Sequence, residues 1–457
     1  MFRIAIKRLI SMDRRAPSFS ANVIYQFTRQ VLSFVVGIGV SIIVARYLGP
    51  KGKGILSTLL TFSSFHYALF FLGTPTALQY FIASRKYQIK EIIGTFCAFT
   101  LSFYFPLTFL LIILAPYLTS SFLKGVPSLL LRVSLLVSLT GYFVPLGSTL
   151  SALRRYKFLF LMDTVSLLLR LALLSSFLII LKWGVWGAFA SDWLLTPISI
   201  ALSFHFLNDV VHLSFFSPRL NILIIKNMLM YGILNFVAGI LWRVNARFDV
   251  FFVNTYWGAS AVGLYMTGVN YTELMRLFSD AISYVLFPQV SSIPSEEARK
   301  LTSLLTRLLL LYYLVLAPII YLLAPLIIPF FFGSAFRPSV SVIPYLLPGI
   351  ISWMYYGLLG QHFLGRGFPQ YNLYGNLTGS IFTILLDFLL IPRWGIIGAS
   401  IASSIAYTLT FLVVLHFFKK LEKLSLSEIF LPRKNDLIVF IGKLKEIVKT
   451  IKGFQKS

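Results

Sequence analysis

Cysteine, histidine and acidic residues are scarce in this sequence, with one, five and fifteen of them in 457 residues. The single Cys97 excludes an intrachain disulfide and a cysteine-ligated metal site. The histidines lack the spacing of metal ligands, and no glycine-rich phosphate-binding loop is present. We therefore expect no metal, no cofactor and no ATP hydrolysis by this chain, and a protein that is not an enzyme.

Charge is scarce too, at 12% of residues against about 25% in soluble domains. Hydrophobic residues make up 58% of the chain and the mean hydropathy is +0.83, which indicates an integral membrane protein. The net charge of +25 lies mainly in short loops and tails, where membrane topology places it. We therefore expect a membrane environment and no nucleic-acid partner.

Long apolar runs predict an all-α fold of twelve transmembrane helices in two six-helix, pseudo-symmetric lobes around a central cavity. The predicted divisions are a cytoplasmic N-tail (1–21), an N-lobe (22–207), a connection (208–227), a C-lobe (228–418) and a basic tail (419–457). Lysines interleave with apolar residues at helical spacing in that tail. This pattern predicts an amphipathic helix on the anionic inner leaflet.

The two halves share short motifs in the same order. Val44-x-x-Tyr47-x-Gly49-x4-Gly54 recurs as Val253-x-x-Tyr256-x-Gly258-x4-Gly263, an offset of 209 residues. Lys182-Trp183-Gly184 recurs as Arg393-Trp394-Gly395, at an offset of 211. Six helices per copy is an even number, so we expect both copies to have the same orientation in the membrane.

The distribution of lysine and arginine predicts the orientation. With both termini inside, the inner segments hold 26 basic residues and the outer loops hold six. Because cytoplasmic loops carry the excess of lysine and arginine, we expect a multi-pass protein of the cytoplasmic membrane with both ends in the cytoplasm.

Three predicted helices carry polar stripes. On the first, a stripe with the spacing of one helical face contains Asn22, Gln26, Arg29, Gln30, Ser33 and Ser41, with Gly37 between. On the seventh, Arg243 and Arg247 share a face with Asn235 and Gly239. On the eighth, the stripe contains Asn270, Glu273, Arg276 and Asp280, and Glu273 is spaced to pair with Arg276. Intramembrane charges are expensive, so these faces should meet a cavity or other helices.

The remaining intramembrane arginines have simpler explanations. Arg46, Arg132 and Arg307 lie near span ends, where a long side chain reaches the interface. Arg170 lies mid-span, with Asp163 on the same helical face, and we expect a structural role for it.

The turn after the first helix carries a family pattern. Its Ala45-Arg46-Tyr47-Leu48-Gly49-Pro50, followed by Gly54, resembles the polysaccharide-exporter branch of the multidrug/oligosaccharidyl-lipid/polysaccharide exporter superfamily. The resemblance implies two lobes with a cavity between the first, second, seventh and eighth helices. It also implies a flippase that moves a polyprenyl-pyrophosphate-linked oligosaccharide across the cytoplasmic membrane for surface polysaccharide assembly, by alternating access. Polysaccharide polymerase and glycosyltransferases are further candidate partners.

The polar stripes then become candidate sites. For substrate binding in a cationic cavity the candidates are Arg29, Arg243, Arg247, Arg276, Asn22, Gln26 and Asn235. The arginine fork suits phosphate because it donates two hydrogen bonds and stays charged. Glu273 and Asp280 are candidates for coupling transport to protons or Na⁺.

Three alternatives remain open at this point. A flippase for the peptidoglycan lipid precursor usually has two further helices, which this tail lacks. A cation-coupled drug exporter would be expected to have an acidic cavity. A membrane glycosyltransferase or polymerase would belong to a different class, and it usually has sizeable charged external loops.

Overall fold

The computed structural model describes residues 19–433, 435, 436 and 438, without the side chains of 19–27, 29–31, 277, 278, 281, 284 and 285. Within that part of the chain the secondary structure is helical, without a strand. The N-tail before residue 19 and the amphipathic tail helix predicted beyond 438 lie outside the described residues.

The described part of the first half contains nine α-helices; one π-helical stretch, Thr100–Tyr104, joins two of them, and another, Ser176–Ile180, extends a third. The α-helices are α1 Phe19–Phe71, α2 Thr74–Ala83, α3 Ile89–Phe99, α4 Phe105–Ser121, α5 Ser128–Ser138, α6 Val144–Ala152, α7 Tyr156–Ser175, α8 Gly184–Trp193 and α9 Leu195–Leu207. After the connection, the second half contains α10 Ile222–Arg247, α11 Asp249–Thr272, α12 Arg276–Ser292, α13 Ser295–Phe332, α14 Val342–Gly365, α15 Pro369–Glu422 and α16 Leu426–Phe430.

The described residues contain nine long apolar runs, which account for twelve membrane crossings because three of the runs cross twice. Three of these runs, Leu32–Phe71, Ile222–Met275 and Pro369–Glu422, contain a glycine whose backbone leaves the helix. Each of these glycines divides its run into two helices, and a run of 40 or 54 residues is about twice what one crossing needs, so we count two crossings in each. The structure thereby confirms the predicted all-α membrane fold.

Equivalent glycines in the two halves have matching backbone conformations, as the internal repeat predicts. Gly49 and Gly258, equivalent positions in the two motif copies, have φ values of 63° and 78°. Gly184 and Gly395, the other equivalent pair, have φ values of 60° and 56°. These left-handed conformations strain residues with a Cβ, which explains why glycine occupies all four turns.

The two lobes touch where the repeated motifs lie. A methyl group on Gly54 would overlap the carbonyl oxygen of Ala259, and one on Gly263 would overlap that of Pro50. Nearby, the ring of Phe122 stacks on Phe251 at 4.7 Å between centroids. We call this region, formed by residues 46–54, 122–124, 254–263 and 330–336, the Gly54 end.

Arg307 is buried, and the expectation that it reaches the membrane interface is wrong. Its guanidinium donates to both carboxylate oxygens of Asp436, at 2.7 and 2.9 Å, and to the carbonyl of Glu428 at 2.7 Å. Both side chains are 7% exposed. The hydrogen bonds from Arg307 hold the pKa of Asp436 below its usual range. Arg307 thus binds the segment after α15 to the N-terminal third of α13.

Two other intramembrane arginines also have partners. Arg170 donates to Asp192 at 3.1 Å, which supports a structural role with a different partner from the predicted one. Arg46 donates to the carbonyl of Phe331 at 2.8 Å and to that of Phe330. Since α13 belongs to the second half, Arg46 links the two lobes at the Gly54 end.

Candidate substrate cavity and charged network

A cavity of about 430 Å³ lies between the first crossing and the C-lobe. Its lining residues come from α1 and from α11, α13 and the short 3-10 turn between α11 and α12: Ser33, Phe34, Gly37, Ile38, Ser41, Ile42, Asn270, Tyr271, Glu273, Leu274, Ile327, Phe331 and Phe332. Ser33, Gly37 and Ser41 are four residues apart, so this part of the predicted stripe faces the cavity. The side chains of Asn22, Gln26 and Arg29, earlier on the same stripe, lie outside the described ones.

Glu273 lies at the centre of a charged network beside the cavity. Arg247 donates to both of its carboxylate oxygens, at 3.0 and 3.1 Å. Arg276 lies 3.6 Å from Glu273 and 3.5 Å from Asp280. The closer partner of Glu273 is therefore Arg247 on the neighbouring helix, not Arg276 on its own.

This network balances two positive charges against two negative charges. The Glu273 side chain lines the cavity and forms ion pairs with Arg247 and Arg276, which are not among the described lining residues. Asp280 is more open, with 57% of its side chain exposed. Among the described side chains that line the cavity, the charged one is the acidic Glu273.

The other predicted substrate residues of α10 are arranged differently. Arg243 donates to the carbonyl of Gly239 one turn earlier, at 3.0 Å, and no carboxylate pairs with it in the described part of the chain. Asn235 is exposed. Neither residue is among the described lining residues of this cavity. Arg243 is a half-buried cation that interacts electrostatically with Tyr67 of the N-lobe.

A second carboxylate pair, which the sequence analysis missed, is buried inside the C-lobe. One oxygen of Asp249 accepts hydrogen bonds from the hydroxyls of Tyr265 and of Ser403, the latter at 2.9 Å, and its other oxygen has no partner among the described residues. Asp387 is 0% exposed, and neither of its oxygens has a hydrogen-bond partner within the described structure. Applying the argument used for intramembrane arginines to aspartates would have identified both residues.

The two aspartates lie next to each other. Asn245 and Thr383 are hydrogen-bonded at 3.2 Å. The crossings that carry them, the seventh and the eleventh, run in the same direction through the membrane. Asp249 and Asp387 each follow about one turn later, which places them at the same level, and the two carboxylates are close enough for their charges to interact.

Comparisons with known proteins show the family of this chain and several of its relatives. Residues 43–341 match the family model described as "Polysaccharide biosynthesis protein". An uncharacterized membrane protein of Methanocaldococcus jannaschii is 22% identical over 404 residues, which are 83% of this chain and 93% of that protein. The "Probable low-salt glycan biosynthesis flippase Agl15" of Haloferax volcanii is 23% identical over 191 residues, 41% of this chain and 40% of its own length. The chain spans less than half the length of the first two curated relatives that it matches.

Solved transporter structures share the fold. The lipid II flippase MurJ in an inward closed conformation matches with a TM-score of 0.67 and 16% identity, over 94% of this chain and 99% of that one. An inward-facing multidrug resistance transporter of the MATE family matches with a TM-score of 0.66 and 16% identity, over 86% and 94%. At these identities the likeness concerns the fold, which has twelve helices in two lobes. This multi-pass membrane protein belongs to the polysaccharide biosynthesis protein family.

Proposed function

We propose that this protein is a flippase that carries a polyprenyl-pyrophosphate-linked oligosaccharide across the cytoplasmic membrane for surface polysaccharide assembly. The observation that carries the proposal is the cavity between the lobes of a polysaccharide biosynthesis family member. Its serines and Asn270 offer hydrogen bonds to sugars, while its isoleucines and phenylalanines suit an apolar chain. The match to a glycan biosynthesis flippase supports the same substrate class.

The arginines on the polar stripes hold the pyrophosphate in this proposal. Arg243 has no carboxylate partner among the described residues, and Arg29 extends the stripe that lines the cavity. Arg247 and Arg276 are released when the pyrophosphate competes with Glu273 for their guanidinium groups. Asn22, Gln26 and Asn235 add polar contacts to the same path.

Ion coupling has two candidate carboxylate pairs. Protonation of Glu273 would free both of its arginines for the substrate, and Asp280 would follow through Arg276. Asp249 and Asp387 interact electrostatically inside the C-lobe, and three of their four carboxylate oxygens have no hydrogen-bond partner among the described residues. A buried carboxylate is expensive without a counter-charge, so we propose that a proton or Na⁺ occupies this second pair. An ion that prefers one lobe arrangement shifts the equilibrium between the two.

The substrate proposal is tested by translocation in proteoliposomes with a fluorescent oligosaccharide on a polyprenyl pyrophosphate. We expect the wild-type protein to move it, and Arg243→Ala to slow translocation by about tenfold or more, because a charge-assisted contact to phosphate is lost. Arg243→Lys should recover only part of the rate, since the bidentate fork is absent.

The matched control is Arg337→Ala, which removes an exposed arginine one residue beyond the Gly54 end. This control should translocate like the wild type. Sugar transfer or polymerisation without movement of the labelled lipid would instead identify an enzyme. Equal rates for a substrate that lacks the pyrophosphate would contradict the proposed arginine site.

A further inference from the structure

Lys53 is a buried lysine at the Gly54 end, just after the turn at Gly49. It is 4% exposed, whereas Lys51, two residues earlier, is exposed. The ammonium nitrogen of Lys53 lies 3.1 Å from the hydroxyl oxygen of Ser41. It also lies over the rings of Phe332 and Phe336, at 4.6 and 5.5 Å from their centroids.

Lys53 has no carboxylate partner within the described structure. An ammonium group has three N–H donors, and only the contact with Ser41 uses one of them here. Arg307, another buried basic residue, is bound by both oxygens of Asp436. A desolvated charge without a counter-ion is costly, and cation–π contacts offset only part of that cost. The surroundings of Lys53 therefore favour an anion as an additional partner.

The position of Lys53 connects it to the cavity. Ser41 and Phe332, two of the three side chains that its ammonium group contacts, are also lining residues of the cavity. Ser41 lies at the end of the α1 stripe nearest Gly49, and Phe332 is the last residue of α13. Lys53 thus lies directly behind the cavity wall, on the side toward the Gly54 end.

The contacts of Lys53 also join the two lobes. Lys53 and Ser41 belong to α1. Phe332 is the last residue of α13, and Phe336 lies in the 3-10 turn that follows it, so both rings belong to the second half. Separation of the lobes at the Gly54 end would remove both rings from the ammonium group. Lys53 would then have two or more free donors at the mouth of the path, where a departing anion must pass.

We propose that Lys53 is an anion-binding residue that receives a phosphate oxygen of the lipid-linked substrate at the Gly54 end of the translocation path. This assignment rests on the proposed flippase function and adds a residue to it that lies outside the arginine stripes. The ammonium group suits this step because its compact charge on a flexible stem can follow a moving phosphate. The arginines hold the anion in the cavity, and Lys53 binds it during transfer toward the exit.

The experiment compares binding of two probes to the purified full-length protein, a short-chain polyprenyl pyrophosphate and the corresponding polyprenyl alcohol. Lys53→Met keeps an apolar stem against the phenylalanine rings and removes the charge, and Lys53→Gln removes the charge while keeping a polar end. We expect either change to weaken pyrophosphate binding by about tenfold, because one charge-assisted hydrogen bond is lost. Binding of the alcohol should not change.

Lys51→Gln is the matched control, since it removes an exposed positive charge from the same turn. It should leave the affinity for both probes unchanged. Lys53→Arg, which keeps the charge, should retain most of the pyrophosphate affinity. The thermal midpoint of each variant, measured without ligand, shows whether it is folded.

Two results would overturn the proposal in distinguishable ways. If the wild type prefers pyrophosphate to alcohol and folded Lys53→Met and Lys53→Gln keep that preference, Lys53 is not an anion-binding residue but the flippase proposal stands. If the wild type shows no preference for pyrophosphate, both the Lys53 assignment and the proposed substrate class fail. Should one of the two variants not fold, the other decides.

Discussion

Asp387 and Arg307 are both buried charges on membrane crossings, yet their surroundings differ. Arg307 is neutralised by Asp436 through two hydrogen bonds. Asp387 has no hydrogen-bond partner in the described part of the chain, and its neighbour Asp249 is another acid. Arg247 and Tyr407 also act electrostatically on Asp249, whereas the charge that acts on Asp387 is that of Asp249. Removing one partner of a buried ion pair is destabilising, so Arg307 and Asp436 depend on each other, whereas Asp249 and Asp387 are the pair at which we propose that a small cation binds.

Replacing Asp387 with asparagine tests this difference. We expect Na⁺ to raise the thermal midpoint of the wild type if it is the bound ion, because a ligand that binds only the folded state stabilises it. Asp387→Asn should lose this response and should lose stimulation of translocation by an imposed Na⁺ or proton gradient. Asp280→Asn, from the other candidate pair, is the comparison, because its carboxylate is exposed and pairs with Arg276.

The opposite pattern would favour the other candidate pair. If Asp280→Asn and Glu273→Gln abolish gradient stimulation while Asp387→Asn retains it, then coupling runs through Glu273 and its arginines. Unchanged stimulation in all of these variants would remove both pairs from the mechanism.

At the scale of elements, the two copies of one motif form the junction between the lobes. The glycine turns after the first and seventh crossings have matching φ values, and the second glycine of each copy allows close approach of the other copy's backbone. The sequence predicted the turns and the repeat, since both depend on local residue type and spacing. It could not predict that Gly54 and Gly263 lie in one contact, because nothing local indicates which segments meet across 209 residues.

Gly263→Ala tests the importance of this contact. The added methyl group would overlap the carbonyl oxygen of Pro50, so the lobes could not close at the Gly54 end without a backbone shift. We expect a lower thermal midpoint and a translocation rate reduced by about tenfold, corresponding to loss of roughly 1.4 kcal/mol of the closed arrangement. Thermal unfolding and the proteoliposome assay measure these two effects.

Gly357→Ala is a suitable control for helix propensity. A methyl group there meets open space within a helix, so the change should be neutral or stabilising by up to about 1 kcal/mol. If Gly263→Ala behaves like this control in both assays, the close approach of the lobes at Gly263 is not required for transport.

At the scale of the whole molecule, helical periodicity predicted which residues share a helix face but not which residues they contact. The stripe on α1 faces the cavity at Ser33, Gly37 and Ser41, as its spacing predicted. Arg247, in contrast, was assigned to an open cationic cavity, and in the structure it is held by Glu273 on the next crossing. Helical spacing reports which residues share a face, whereas ion pairing depends on the rotation of two helices about their axes, which the spacing along one helix does not determine.

The direction of transport depends on which end of the molecule faces the outside. The excess of lysine and arginine predicts that the Gly54 end is external, because its loops hold few of the basic residues. The native Cys97 is fully buried, so single cysteines introduced elsewhere can be labelled selectively. In intact cells, a membrane-impermeant maleimide should label Lys124→Cys at the Gly54 end and should not label Arg154→Cys, although both positions are exposed. Permeabilised cells, in which both should react, are the control.

If only Lys124→Cys is labelled in intact cells, the lobe contacts at Gly54 and Gly263 close the path toward the outside, and the described structure is a state that has yet to release substrate there. The reverse labelling would mean that the same contacts close the cytoplasmic side, and Lys53 would then lie at the entrance of the path instead of its exit.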